Sequence, residues 1–117
     1  MAIDAHGLYL GVAIAPGIGI SIDALVERTA KLPQIALEAP GKALGTDTIS
    51  ALQSGIVYGF VGQTEALVTR IRSELGADAK VVVTGGMADV VARHTKIIHA
   101  VNPHLSLYGL RRFYLEK

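Results

Sequence analysis

Lys80-Val81-Val82-Val83-Thr84-Gly85-Gly86 is the stretch that decides the fold. A continuous apolar run of this kind reads as a strand buried on both faces. Such strands belong to parallel or mixed sheets, where helices cover both sides and the usual alternation is lost. The two glycines end the strand and lead into a helix near residues 88–93. Beyond it, Ile97-Ile98 reads as a short strand, Asn102-Pro103 as a break, and Ser106 as the N-cap of a terminal helix. That helix is expected to turn Leu107, Leu110 and Phe113 or Tyr114 inward. Strands alternating with helices imply an α/β layered domain with a mixed sheet.

Working back from the strand, the Gly76-Ala77-Asp78 turn closes the longest periodic segment. With Asp47 as N-cap, a helix over residues 48–75 would measure about 42 Å at 1.5 Å per residue. Ile49, Leu52, Ile56, Phe60, Leu67 and Ile71 form its apolar stripe. Gly55, Gly59 and Gly62 lie inside it, and each costs roughly 1 kcal/mol against alanine in a helix. Together with Ala51 and Ala66 they fall along one side and make a shallow groove. The groove predicts a tight packing seam, inside the core by preference and between subunits as the alternative.

Residues 33–47 form a Pro- and Gly-bearing connection, long for a compact domain and therefore a candidate functional loop. Before it, Ser21 reads as the N-cap of a helix with Ile22, Leu25, Val26 and Thr29 on one face, Asp23 in its first turn, Lys31 in its last, and Pro33 as its stop. At the start, residues 2–5, the turn Asp4-Ala5-His6-Gly7 and the run over residues 9–15 read as a hairpin. Its first strand is unusually short, as if the chain opened inside an element.

Composition narrows the classes of function. The 117 residues are 50% hydrophobic and 18% charged, enough for one domain and too apolar for disorder. A formal charge of +1 with scattered Lys and Arg leaves no basic stripe for nucleic acid or anionic lipid. Without cysteine there is no disulfide framework, thiolate metal site or thiol nucleophile. The longest uncharged windows, residues 7–22 and 49–64, run sixteen residues each, short of the roughly twenty that span a bilayer. The opening Met1-Ala2-Ile3-Asp4 lacks the basic start of a secretory signal, so a cytoplasmic protein is expected.

Two places carry candidate chemistry. Thr84-Gly85-Gly86 sits between strand and helix, where glycines admit a ligand to the backbone and unpaired N–H groups face an anion. A plain tight turn explains the pair as well, and neither of the two commonest self-sufficient nucleotide loops is present. Gly45-Thr46-Asp47-Thr48 stands at the mouth of the long helix, where hydroxyls and N–H groups can hold a carboxylate or hydroxyl. Capping alone also accounts for it. His94, His99 and His104 recur every five residues across a strand and a proline, unlike zinc ligands at i and i+4, and with His6 they read as surface or capping residues. No carboxylate pair, Ser-His-Asp set or other catalytic group is legible.

The ordered segments nevertheless resemble a known family. They are Tyr9-Leu10-Gly11 leading to Ile14-Ala15-Pro16-Gly17-Ile18, Arg28-Thr29-Ala30-Lys31-Leu32-Pro33, and Gly45-x-x-Thr48. Gln53-Ser54-Gly55 with Tyr58-Gly59, Thr84-Gly85-Gly86, and Pro103-x-Leu105-x-Leu107-x-Gly109-Leu110 follow. Over nearly the whole chain, residues 1–117, they look like the carboxy-terminal half of a type III pantothenate kinase. That family is the Bvg-accessory-factor-like branch of the acetate kinase, sugar kinase and actin superfamily.

The resemblance implies an RNase H-like, actin-like ATPase half-domain with a mixed sheet, flanking helices and its first central strand missing. It implies ATP-dependent phosphorylation of pantothenate to 4'-phosphopantothenate, the first step towards coenzyme A. Mg2+ and a monovalent cation, K+ or NH4+, would serve it in a cytoplasmic homodimer or higher homo-oligomer. Thr48 matches the family's pantothenate-contacting threonine, and Gly85 and Gly86 match the glycine turn near the nucleotide. The family's Asp-x-Gly-Asn-Thr loop, its Gly-x-Asp-Arg segment with the catalytic aspartate and its second Asp-x-Gly-Thr loop have no counterpart here. No catalytic or metal residue is therefore expected on this chain. Val12 stands where the family repeats glycine after Gly11, and its branched side chain narrows any cleft needing close backbone approach.

A missing central strand would leave unpaired groups beside Val81, Val82 and Val83, at about 1 to 3 kcal/mol for each one buried. Such an edge recruits a partner strand, from another copy or from a separately encoded amino-terminal half. The alternative reading is a non-enzymatic, kinase-derived module that binds a partner or acts as a regulatory accessory factor.

Overall fold

In the computed structural model residues 1–28, 33 and 35–116 are described. The expected positions of Thr29 and Lys31, and most of the 28–33 segment, lie outside them. In chain order the elements are β1 (Ala2–Ile3), β2 (Tyr9–Gly11), α1 (Ile18–Arg28), α2 (Thr48–Leu75), β3 (Val82–Val83), α3 (Ala88–Ala92), β4 (Ala100–Val101) and α4 (Leu105–Leu115).

Helix α2 has the expected limits because both ends are signalled locally. The Asp47 carboxylate accepts the N–H of Ser50 at 2.9 Å, and Ser50 Oγ accepts the N–H of Asp47 at 3.3 Å, a reciprocal capping box. At the other end Gly76 takes the left-handed conformation, φ +62°, which stops the helix at little steric cost. Arg72 then ties the exit: its Nε and Nη2 donate to Ala79 O at 3.0 and 2.6 Å, and Nη2 lies 3.4 Å from Asp78. Among the described residues the buried apolar side chains are Ile18 of α1 and Ile56, Val57 and Val61 of α2. Each such burial contributes about 1.5 to 3 kcal/mol relative to exposure.

The first hairpin forms as expected, though shorter. Asp4 Oδ1 accepts the N–H groups of His6 and Leu8, both at 2.8 Å, and Gly7 supplies φ +83° at the turn. Strands β1 and β2 pair antiparallel, Ala2 opposite Gly11 and Ile3 opposite Tyr9, with a bulge between.

Four expectations are corrected. Helix α1 starts at Ile18, so Ser21 lies inside it and is not the N-cap. The carbonyl of Gly17 accepts the Ser21 N–H at 3.1 Å, and burial of Ile18 holds this earlier start. The strand expected at Ile97-Ile98 lies instead at Ala100–Val101, parallel to β3. Its register is set by Val81 O, which accepts from His99 N and Ala100 N, and by Val83 O, which accepts from Asn102 N. Helix α4 begins at Leu105, not after Ser106: Asn102 Oδ1 accepts the His104 N–H at 3.1 Å and turns the chain into it. Leu107, Leu110, Phe113 and Tyr114 are all exposed, and none is turned into the core.

The sheet differs as well. In place of one mixed sheet, the described residues form two separate two-stranded sheets, β1 with β2 and β3 with β4. Ala2 and Ile3 of β1 and Val81, Val82 and Val83 border one cleft, together with Val68, Ile71 and Leu75 of α2. The groove of small residues on α2 is also open. A Cβ on Gly55, Gly59 or Gly62 would meet nothing within 4 Å, so the core seam expected there is not formed within the described residues.

These openings show in the dimensions. The chain exposes 8841 Å², against roughly 6,100 Å² for a compact monomer of its mass. Its radius of gyration is 16.8 Å, against about 13 Å for a closed domain of this length. No helix among the described residues is long and apolar enough to cross a membrane.

Candidate functional site

Thr48 is the first residue of α2 and is exposed. At a helix start the first N–H groups have no intrahelical partner, so its hydroxyl and amide stand where an anionic or hydroxylic ligand can meet them. The neighbouring Asp47 keeps its carboxyl below the ordinary carboxylate range, mainly through the Ser50 N–H and then the Ser50 hydroxyl. Thr46 and Thr48 on either side of it are both exposed, so two hydroxyls of the Gly45-x-x-Thr48 segment are accessible.

Upstream of Thr48, residues 35–47 run as an irregular strap. Three side chains of α2 take its carbonyls: Gln53 Nε2 donates to Ala36 O at 3.0 Å, Tyr58 OH to Pro40 O at 2.6 Å, and Ser54 Oγ to Ala43 O. Ser54 is itself buried. Gly45 lies flat against the first turn of α2, where a Cβ would come 2.5 Å from Ala51 Cα and 2.8 Å from the Ser50 carbonyl carbon. Only glycine fits there.

Gly85 and Gly86 follow β3 at the turn into α3 and are exposed. Gly85 has φ +103°, a backbone region that L side chains rarely adopt, and a Cβ on either glycine would meet nothing within 4 Å. The turn is therefore open to close backbone approach, as a nucleotide would need. A metal is a different matter. Among the described residues no group of three or more His, Asp or Glu side chains is placed to hold a metal ion.

Thr48 and the two glycines stand on different elements, and Tyr58 of α2 touches the strap before Thr48 and the chain just past α3. Its hydroxyl pins the strap, and its ring meets the edge of His94, just past α3, at a centroid distance of 6.1 Å. The sequence motifs contained Gln53, Ser54 and Tyr58 without revealing this role. The available signal was polar side chains set among the apolar positions of α2. His99 is also more than a surface residue: its Nδ1 accepts the N–H of Val81 at 3.0 Å, beside the β3–β4 ladder.

The strand before the glycine turn, expected to be buried on both faces, is only Val82–Val83 and leaves Val82 50% exposed. Residues 1–70 match the type III pantothenate kinase family. The chain is 51% identical over 112 residues to the type III pantothenate kinase of Dehalococcoides mccartyi, covering 96% of this chain and 43% of that protein. It is 49% identical over 113 residues to that of Moorella thermoacetica, covering 97% and 44%. With that of Brevibacillus brevis it shares 51% identity over 112 residues, covering 96% and 44%. The chain belongs to the type III pantothenate kinase family and corresponds to the carboxy-terminal half of its relatives. It spans less than half the length of these curated relatives.

Proposed function

We propose that this chain supplies the acceptor side of an enzyme that phosphorylates pantothenate with ATP, the first step of coenzyme A formation. The observation that carries the reading is about half identity to type III pantothenate kinases along almost the whole chain, with Gly45-x-x-Thr48 intact at an exposed helix mouth. Thr48 then holds pantothenate through its hydroxyl, and Gly85 and Gly86 let the main chain approach the nucleotide. ATP supplies the phosphoryl group. Phosphoryl transfer needs positioning and charge neutralisation more than covalent help. By the resemblance, the Asp-bearing loops for Mg2+, the monovalent cation and the catalytic base would lie in the part of the relatives' length that this chain does not cover.

The fold proposed is the carboxy-terminal RNase H-like half of an actin-like ATPase with its first central strand absent. The cleft bordered by β1 and the 81–83 segment is where such a strand would lie. A second copy, or a separate chain bearing the amino-terminal half, would fill it in a cytoplasmic homo-oligomer. The surplus of exposed surface, close to 2,700 Å² by the comparison above, is in the range that obligate assemblies bury. The same surplus supports the second reading, a kinase-derived module that binds a partner without turnover.

Reconstitution distinguishes the two. The purified chain alone should not consume ATP with pantothenate, and adding a polypeptide that carries Asp-x-Gly-Asn-Thr and Gly-x-Asp-Arg should produce turnover. In that assembly Thr48→Ala should raise the pantothenate KM by about 10- to 100-fold, the equivalent of one lost hydrogen bond to a charged ligand. Turnover by the lone chain, or an unchanged KM, overturns the acceptor-side role. Tight association without turnover supports the binding module.

A further inference from the structure

We infer that Tyr58 is a positioning residue for the acceptor site: it anchors the strap that runs into Thr48 and joins that strap to the segment after α3. The inference rests on the acceptor-side reading of Thr48 and goes beyond it by naming what holds the wall beside that threonine.

The strap forms no ladder. Its one described internal main-chain bond is Glu38 N–H to Ala36 O at 2.9 Å. The carbonyls of Ala36, Pro40 and Ala43 are taken by Gln53, Tyr58 and Ser54, so α2 is the template on which the strap lies. The order of attachment shows its path. It touches Gln53 first, reaches furthest along α2 at Tyr58, and returns past Ser54 to lie on Ala51 before becoming the helix cap at Asp47. Tyr58 therefore pins the tip. A released tip frees the strap's far arm, and the returning arm is the chain immediately before Thr48.

Tyr58 also faces a second segment. Its ring meets His94 at 80° between planes, an edge contact independent of the hydroxyl. His94 follows α3, which follows Gly85 and Gly86. One side chain thus touches both the strap of the acceptor side and the segment beyond the glycine turn, using a different part of itself for each. Tyr58→Phe separates them: it removes the bond to Pro40 O and keeps the ring.

Lys42 gives a direct readout. It is exposed in the returning arm of the strap, between the carbonyls held by Tyr58 and Ser54. A protease must hold several residues on each side of the bond in extended form, so the rate of tryptic cutting after Lys42 reports how readily the arm leaves α2. Arg111 in exposed α4 serves as the internal reference site. Tyr58→Phe should speed cutting at Lys42 about fivefold, the effect of losing one hydrogen bond, and leave cutting at Arg111 unchanged. The same variant should raise the Kd for pantothenate severalfold and leave the Kd for ADP unchanged. Ser54→Ala should behave alike, with Ser54→Thr restoring both readouts because the hydroxyl is retained. Faster cutting with unaltered pantothenate binding, or unaltered cutting, overturns the inference while the acceptor-site reading stands. A wild-type chain that binds no pantothenate, alone or reconstituted, overturns both.

Discussion

Gly45 is pressed against Ala51: a Cβ at residue 45 would stand 2.5 Å from the Ala51 Cα, well inside any real carbon contact. The obstacle is helix backbone, which cannot rotate aside as a side chain would. Gly45→Ala should therefore lift the strap or displace the first turn of α2. Overpacking of this kind costs about 1 to 3 kcal/mol. Thermal denaturation should show a lower Tm for the variant; an unchanged Tm would mean that the strap does not lie on the helix.

Gly59 presents the opposite case. It is exposed inside α2, and a Cβ there would meet nothing within 4 Å. Gly59→Ala should stabilise the chain by about 0.8 to 1 kcal/mol from helix propensity alone. The gain should appear in urea unfolding at low protein concentration. A loss at low concentration would show that the groove is already filled, contrary to its openness here.

Protonation of Asp47 should loosen the start of α2. The Ser50 N–H, then its hydroxyl, favour the carboxylate, so the folded value lies below the ordinary 3.8. A lowered folded value means the stabilisation is complete above about pH 3.8 and is lost as pH falls through the depressed value. Circular dichroism during acid titration should register this loss. Asp47→Asn keeps a good N-cap without the charge and should remove this step from the profile. A step of equal size in the variant would assign the acid response to other groups.

The limits of helix α2 were legible because they are signalled locally, by Asp47 at one end and Gly76 at the other. Its buried face was less legible, since Ile49 of the expected stripe is half exposed while Val57 and Val61, outside it, are buried. The start of α1 was not, since Ser21 carries the more obvious capping side chain while the Gly17 carbonyl and the burial of Ile18 decide the matter. Ile97-Ile98 has the composition of a strand, yet pairing with Val81 and Val83 places β4 further along, and pairing is not a property of either segment alone. The amphipathic pattern of α4 promised an inward face, but a pattern names a face without naming what covers it. Among site residues, Thr48, Gly85 and Gly86 came from the family motifs. The clamp by Gln53, Ser54 and Tyr58 emerged only when the strap's path put its carbonyls within reach.

Were this exposed area covered by a second copy, as proposed, dilution would itself be a stress for this polypeptide. A closed domain has one melting point at any concentration, whereas any association that covers these apolar side chains makes thermal resistance climb with the amount of protein in the tube. For such a molecule, abundance and durability are two faces of the same quantity.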